Sequence, residues 1–237
     1  MTVLQRRRTY AAPLWSADAF VLRHIGGFVR PRLESLVKRG GAVLDAGCGE
    51  QPLRGEIEAA GATYTGLDVE QNRDGTVEVI APLWQVPLPD ASADVIVVTE
   101  VLEHVAETDA AFTELARLLR KGGAILITTP FAYPLHELPH DYVRLTTAAI
   151  ARLAERNGLR VAEAHALGNE IEVLAVTFNN LLSNILAPLP FALRAAAALV
   201  RLPLNVLVNV TASIFSAVLG SVLPKKSYLT TAAVLTK

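Results

Sequence analysis

Val43-Leu44-Asp45-Ala46-Gly47-Cys48-Gly49 is the stretch that decides how the rest of the chain is read. The apolar run from Ala42 ends abruptly in Asp45 and two glycines, so a strand over residues 42–46 is expected to stop in a glycine turn. Bare backbone at such a turn can approach a ligand where a side chain would collide, and the helix that follows presents free N–H groups. Tyr64-Thr65-Gly66-Leu67-Asp68 then sets a carboxylate at the end of a second strand, where it can accept hydrogen bonds from both hydroxyls of a ribose. A dinucleotide phosphate fingerprint asks for a third glycine three residues after the second, and Pro52 stands there instead. Asp45 would also repel a pyrophosphate, so a cationic ligand suits the turn better. Taken alone, the pattern also fits a tight strand-to-helix turn with no ligand.

Outward from this turn, short apolar runs alternate with helical patterns, the signature of βαβ units and a parallel sheet. Strands are expected at residues 42–46, 63–68, 77–80, 95–99, 124–129, 159–166 and 229–236. Leu53, Ile57 and Ala60 share a helical face that ends at Gly61, and Phe112, Leu115, Leu118 and Leu119 make a second stripe ahead of Gly122 and Gly123. A helix over 146–157 is capped by Thr146 or Thr147 and stopped by Gly158. Residues 16–38 carry helical spacing at Phe20, Ile25, Phe28, Leu33 and Leu36, and are expected to pack over the ligand side. The chain thus divides into a helical cover (1–40), a Rossmann-like core (41–170), an apolar helical insertion (171–224) and a terminal strand (225–237).

The 237 residues are 51% hydrophobic and 19% charged, enough to bury one sizeable α/β core. A net charge of -1 argues against a nucleic-acid binder that works through a broad positive field. The single cysteine, Cys48, excludes an internal disulfide and suits a reducing cytoplasm. Arg6, Arg7 and Arg8 form a basic cluster, but Asp18, Arg23 and His24 interrupt any apolar run behind it, so no signal peptide is expected. Within 173–224 the only charges are Arg194 and Arg201. Asn205, Asn209, Ser213, Ser216 and Gly220 mark one small, polar stripe on that apolar background. Pro188, Pro190 and Pro203 are expected to break it into at least two helices. Residues 202–223 are long enough to cross a bilayer, yet Pro203, the asparagines and the hydroxyl residues weaken a span, and the last strand must return to the sheet. A helical pair that covers the domain, forms a homodimer or lies peripherally at the inner face of a membrane fits better.

S-adenosyl-L-methionine, through its sulfonium and amino groups, would supply the positive charge that Asp45 asks for; a nicotinamide-dependent oxidoreductase is the rival. Four blocks resemble the methyltransferase type 11 group of class I S-adenosylmethionine-dependent methyltransferases. They are VLDAGCG (43–49), GLD (66–68), VPLPDASADVIVVTEVLEHV (86–105) and LLRKGGAILITTP (118–130). The resemblance implies a seven-stranded sheet, mostly parallel, with its last strand antiparallel. It places Gly47, Cys48 and Gly49 against the methionine part of the cofactor, with Asp45 orienting its amino group. Asp68 would hold the ribose and Val69 would face the adenine. Glu100 and Leu102 would form the floor beneath the methyl. The family has an acidic residue where Pro82 stands, so Leu83 or Trp84 is left to pack on the ring.

A hydroxyl acceptor needs a base, to be sought at the carboxyl ends of strands four and five. Glu103-His104 follows the fourth strand: His104 is a candidate base, or the pair merely opens the next helix. The loop after the fifth strand gathers Tyr133, His136, His140, Asp141, Tyr142 and Arg144. It also resembles a Pro-His-Asp-Tyr-x-Arg stretch in methyltransferases encoded among polysaccharide and sugar-modification genes. His140 could act as a base if Asp141 fixed its tautomer, with Tyr133, Tyr142 and Arg144 on the substrate. Alternatively, Asp141 and Arg144 only stiffen the loop. His136 and His140 have ligand spacing, but Pro139 disfavours a helix between them, so no metal is expected. His24 and His165 read as surface or core histidines. The expected reaction is methyl transfer to a small-molecule, sugar or lipid-linked acceptor, at oxygen. An inactive scaffold that binds the cofactor and uses its apolar helices for association is the alternative.

Overall fold

The computed structural model describes residues 10–224 and 226–237; the Arg6, Arg7 and Arg8 cluster lies outside them. Seven strands form one sheet: β1 (Ala42–Ala46), β2 (Thr63–Asp68), β3 (Val79–Ile80), β4 (Ala93–Thr99), β5 (Leu119–Pro130), β6 (Arg160–Leu167) and β7 (Thr230–Thr236). Their order is β3-β2-β1-β4-β5-β7-β6. The β1–β5 pairings are parallel, whereas β7 runs antiparallel between β5 and β6. This is the seven-stranded arrangement that the resemblance implied.

Alternation on β4 shows how the sheet is held. Ile96 and Val98 point into the core beneath α3 (Thr108–Leu118) and α4 (Thr147–Arg156), while Val95 and Val97 point into the opposite core. That second core is closed by α1 (Ala19–Leu36), α2 (Arg54–Ala59), α5 (Glu170–Leu186) and Ala212 of α6 (Phe191–Leu219). A strand buried on both faces has no polar side to show, which is why 95–99 reads as an unbroken apolar run. Thr146 caps α4, its hydroxyl accepting from the Ala149 amide at 3.1 Å.

Three expectations need correction. Leu119 belongs to β5, not to the helical stripe, because the register shift beside Ala93 and Val95 lets the strand start before the glycines. Ala60 is exposed and leaves only Leu53 and Ile57 to anchor α2. Pro203 does not end a helix: α6 runs through it for 29 residues, and the chain turns back around Pro188 and Pro190 instead. An interior proline costs about 3 kcal/mol in an isolated helix. Here contacts on both sides hold one axis. Arg201 Nη1 donates to Ser183 Oγ at 2.7 Å, and beyond the proline Asn205 Nδ2 donates to the Trp15 carbonyl at 3.0 Å.

The polar stripe of α6 faces inward. Asn205 and Asn209 are fully buried; Asn209 Nδ2 donates to the carbonyls of Leu14 (2.6 Å) and Ser16 (3.0 Å) and its Oδ1 accepts from Asn179 Nδ2 (2.9 Å). Glu172 of α5 ties the helices together, accepting from Arg23 (2.7 Å), His24 (2.6 Å) and Ser216 (3.1 Å). The apolar side chains of the hairpin point outward: Leu199 is 79% exposed and Val218 67%.

Candidate active site

The turn after β1 folds back on β2, with the Gly47 and Cys48 amides both donating to the Leu67 carbonyl (2.7 and 3.0 Å). Gly47 has φ +78°, and a Cβ there would meet Val101 Cγ2 at 2.1 Å, so the position admits only glycine. Asp45 is buried at the end of β1 and accepts a hydrogen bond from Tyr64 Oη at 2.8 Å. Burial pushes its carboxyl up to about 7; the Tyr64 hydrogen bond opposes the rise and the Asp68 charge adds to it. Asp68 Oδ2 accepts from the Gly49 amide (2.8 Å) and Oδ1 from the Val69 amide (2.7 Å). Burial raises the Asp68 carboxyl too, against those two amides. Its first job is therefore to fix the glycine turn. At the end of β4, Glu100 sits in the left-handed region with φ 54°, a strained conformation of the sort found at working sites.

These groups border one cavity of about 710 Å³. Asp45, Gly47, Cys48 and Gly49 form one wall; Asp68, Val69, Leu83 and Trp84 continue it, and Glu100 closes the strand-four end. Leu22 and Ile25 of α1 roof the cavity. A cationic adenosyl ligand fits this wall. Asp45 gains its missing counter-charge, and Leu83, Trp84 and the exposed Val69 offer apolar surface where Pro82 offers no acceptor. Leu102 is displaced from its expected place: it is fully buried in the α3 core, and Val101 borders the cavity in its stead. Residues 102–104 form a short 3-10 turn, which rotates Leu102 inward and His104 outward.

His104, Glu137, His140 and Tyr142 border the other end of the cavity. Asp141 does not orient His140. Its carboxylate turns to Arg144, whose Nη1 meets Oδ1 and whose Nη2 donates to Oδ2 at 2.8 Å, and to the His136 amide at 2.9 Å. Burial would raise Asp141, but these partners hold it down to about 2. The pair stiffens the loop, and the Asp141 contact that was to fix the His140 tautomer is not made; His140 is exposed, with Nδ1 against Tyr142 Oη at 2.8 Å. Tyr133 also leaves the cavity and donates to Asp18 Oδ1 at 2.6 Å. His136 lies behind the wall, its Nε2 3.2 Å from His104 Nε2 and not beside His140. Glu103 is wholly buried beneath both. Burial and then the Glu100 charge lift its carboxyl well above the usual range, with Arg144 opposing. His24 and His165 pair with Glu172 and Glu163 away from the cavity.

Sequence reading missed four residues. Tyr10 is buried at the cavity, Oη to Thr99 Oγ1 at 2.8 Å, yet stands far ahead of any motif. Tyr64 holds Asp45 across the β1–β2 pair, and strand alternation was the signal that could have found it. Val101 and Glu137 border the cavity from irregular backbone, where no periodicity reports direction.

Residues 44–127 match the family model of the methyltransferase domain. A probable S-adenosylmethionine-dependent methyltransferase of Mycolicibacterium smegmatis is 36% identical over 140 residues, 52% of this chain and 54% of that protein. The chain thus spans about half the length of that relative. A ubiquinone biosynthesis O-methyltransferase of Aromatoleum aromaticum is 30% identical over 175 residues, 56% of this chain and 75% of that one. Among solved structures, the cyclase SpnF superposes with a TM-score of 0.63 at 15% identity, covering 95% of this chain and 85% of its own; it shares the fold. With the glycine turn, the paired carboxylates and the sheet order, these matches place the chain in the class I S-adenosylmethionine-dependent methyltransferases.

Proposed function

We propose that the chain transfers a methyl group from S-adenosylmethionine to a hydroxyl of a small-molecule, sugar or lipid-linked acceptor. One observation carries the reading: a single cavity joins the Asp45–Asp68 wall to the His104–Tyr142 wall, so donor and acceptor can meet away from bulk water. The bound cofactor supplies a methyl group on a cationic sulfur. The chain's own groups orient the donor through Asp45 and Asp68. They align the acceptor between Glu100 and Tyr142, and take its proton at the histidine end of the cavity. The name of the Aromatoleum relative favours oxygen as the methylated atom.

The outward apolar face favours an acceptor that is lipid-linked and reached from the cytoplasmic side of a membrane. Among the described residues, α6 is the one helix long and apolar enough to cross a bilayer. Its inner stripe, though, grips residues 14–16 and α5, and β7 returns to the sheet between β5 and β6, so peripheral seating fits better than a span.

Calorimetric titration with S-adenosylmethionine and S-adenosylhomocysteine, NADH serving as control, tests the donor, and labelled methyl transfer to alcohols and glycolipids tests the acceptor. Adenosyl binding with no turnover on any acceptor class would leave a scaffold role. Sedimentation with anionic vesicles tests the membrane; a dimer that stays in solution would assign the apolar face to a second copy.

A further inference from the structure

We infer that Glu103, His104 and His136 form a binding site for one divalent transition cation, open toward the cavity. Two elements meet here: the turn after β4, which carries Glu103 and His104, and the loop after β5, which carries His136.

The tautomers set the argument. His104 Nδ1 lies 2.7 Å from the His140 carbonyl oxygen, which can only accept, so Nδ1 carries the proton. His136 Nδ1 likewise faces two acceptors, the Pro134 carbonyl (3.3 Å) and Asp141 Oδ2 (3.2 Å). In the neutral rings both Nε2 atoms therefore present lone pairs, and they face each other at 3.2 Å. Two lone pairs at that separation repel unless a proton or a metal ion lies between them. Glu103 Oε1 completes the triangle at 3.6 Å from His104 Nε2 and 3.8 Å from His136 Nε2. It is fully buried and, among the described residues, accepts no hydrogen bond, while Oε2 takes one from Thr129 Oγ1 at 3.3 Å.

The distances fit an ion. A point equidistant from three atoms so spaced lies about 2 Å from each, the bond length of zinc to imidazole nitrogen and carboxylate oxygen. The outer partners fit as well: each ligating ring hands its other N–H to a carbonyl or carboxylate, the arrangement that orients metal-bound histidines. Two imidazoles and one carboxylate suit zinc and its neighbours better than magnesium or calcium. His104 and Glu137 both border the cavity, with Glu137 Oε2 3.8 Å from His104 Nε2, so an ion held here would be reached from the cavity side. A hydroxyl bound there would ionise more readily, as water on zinc does. That role rests on the proposed methyl transfer to oxygen; the site itself does not.

The test uses the full chain, purified without a histidine tag and stripped with a chelator. Titration with Zn2+ is expected to show one equivalent bound with micromolar affinity or tighter, and Co2+ should give the intense visible bands of a low-coordinate nitrogen–oxygen site. His136→Ala and His104→Gln should each weaken Zn2+ about a hundredfold or more, whereas His165→Ala, which removes a surface imidazole on β6, should leave it unchanged. No uptake by the wild-type chain at millimolar Zn2+, or equal uptake by His136→Ala, overturns the site and leaves a proton shared between the two rings. Methyl transfer that persists in the stripped protein would remove the role but not the site. Bound metal without turnover would fault the methyl-transfer reading instead.

Discussion

Replacing Asp45 with Asn should make the cofactor-free protein more stable and a poorer binder at once. The Asp45 carboxyl is buried at the end of β1 and titrates at about 7 against an ordinary 3.8. The folded chain thus keeps a proton that the unfolded chain releases once pH exceeds about 4. Where the native state holds more protons than the unfolded one, stability falls as pH rises. The loss therefore accumulates between pH 4 and 7 and is complete above 7. At 1.36 kcal/mol per pKa unit it amounts to on the order of 4 kcal/mol. Asn cannot ionise, and its Oδ1 can still accept from Tyr64 Oη. Denaturant unfolding of Asp45→Asn should show a gain of roughly 2–4 kcal/mol over wild type at pH 8 and little difference at pH 4.5. Calorimetry at pH 8 should show S-adenosylmethionine binding weakened by about 1.5–3 kcal/mol, the worth of a hydrogen bond to a charged group. Wild-type affinity should itself fall as pH drops below 7, because the ligand must then displace a proton. A variant no more stable than wild type at pH 8 would refute the reasoning, for it would mean that the buried carboxylate already has its compensation.

Three further outcomes are expected. Asp68→Ala should weaken cofactor binding by roughly 1.5–3 kcal/mol in the same titration, because it removes the ribose partner and frees the Gly49 and Val69 amides; unchanged affinity would end its assignment to the ribose. His140→Ala should lower turnover about tenfold or less and leave cofactor affinity intact, since no carboxylate fixes that ring; abolished turnover would restore it as the base. Asn209→Leu should cost about 2–4 kcal/mol in denaturant unfolding, because it strips partners from the Leu14 and Ser16 carbonyls and from Asn179; a neutral result would show that water replaces them.

The parallel core was legible because each of its parts writes a local pattern. The bounds of β1 and β2 follow from apolar runs that stop at Asp45 and Asp68, and the glycines between them report a turn with one allowed geometry. The cofactor wall comes from those same strand ends, so it was legible with them. The acceptor wall was not. It is built from a 3-10 turn and a loop, where the direction of a side chain depends on contacts far along the chain. Leu102 turned into the core, Tyr133 went to Asp18, and Asp141 chose Arg144 and the His136 amide over its neighbour His140. The pairing of His104 with His136 joins residues 32 positions apart with no shared period, so spacing alone suggested the wrong histidine partner.

The α6 stripe shows the same limit in a different form. Periodicity at steps of three and four identified Asn205, Asn209, Ser216 and Gly220 as one face, but a hydrophobic pattern does not say which face is the inside. The ordinary rule sends the apolar face to the core. Here the short N-terminal segment crosses under α6 with carbonyls that need donors, and a buried asparagine supplies them where leucine could not. Once the stripe is committed inward, the apolar residues have only the outside left. These polar contacts are all made within the chain. The same inward stripe carries Ser216 to Glu172, which also holds Arg23 and His24 of α1, and α1 roofs the cofactor cavity with Leu22 and Ile25. Glu172 thus joins the inner side of the hairpin to a helix whose other side closes over the cavity.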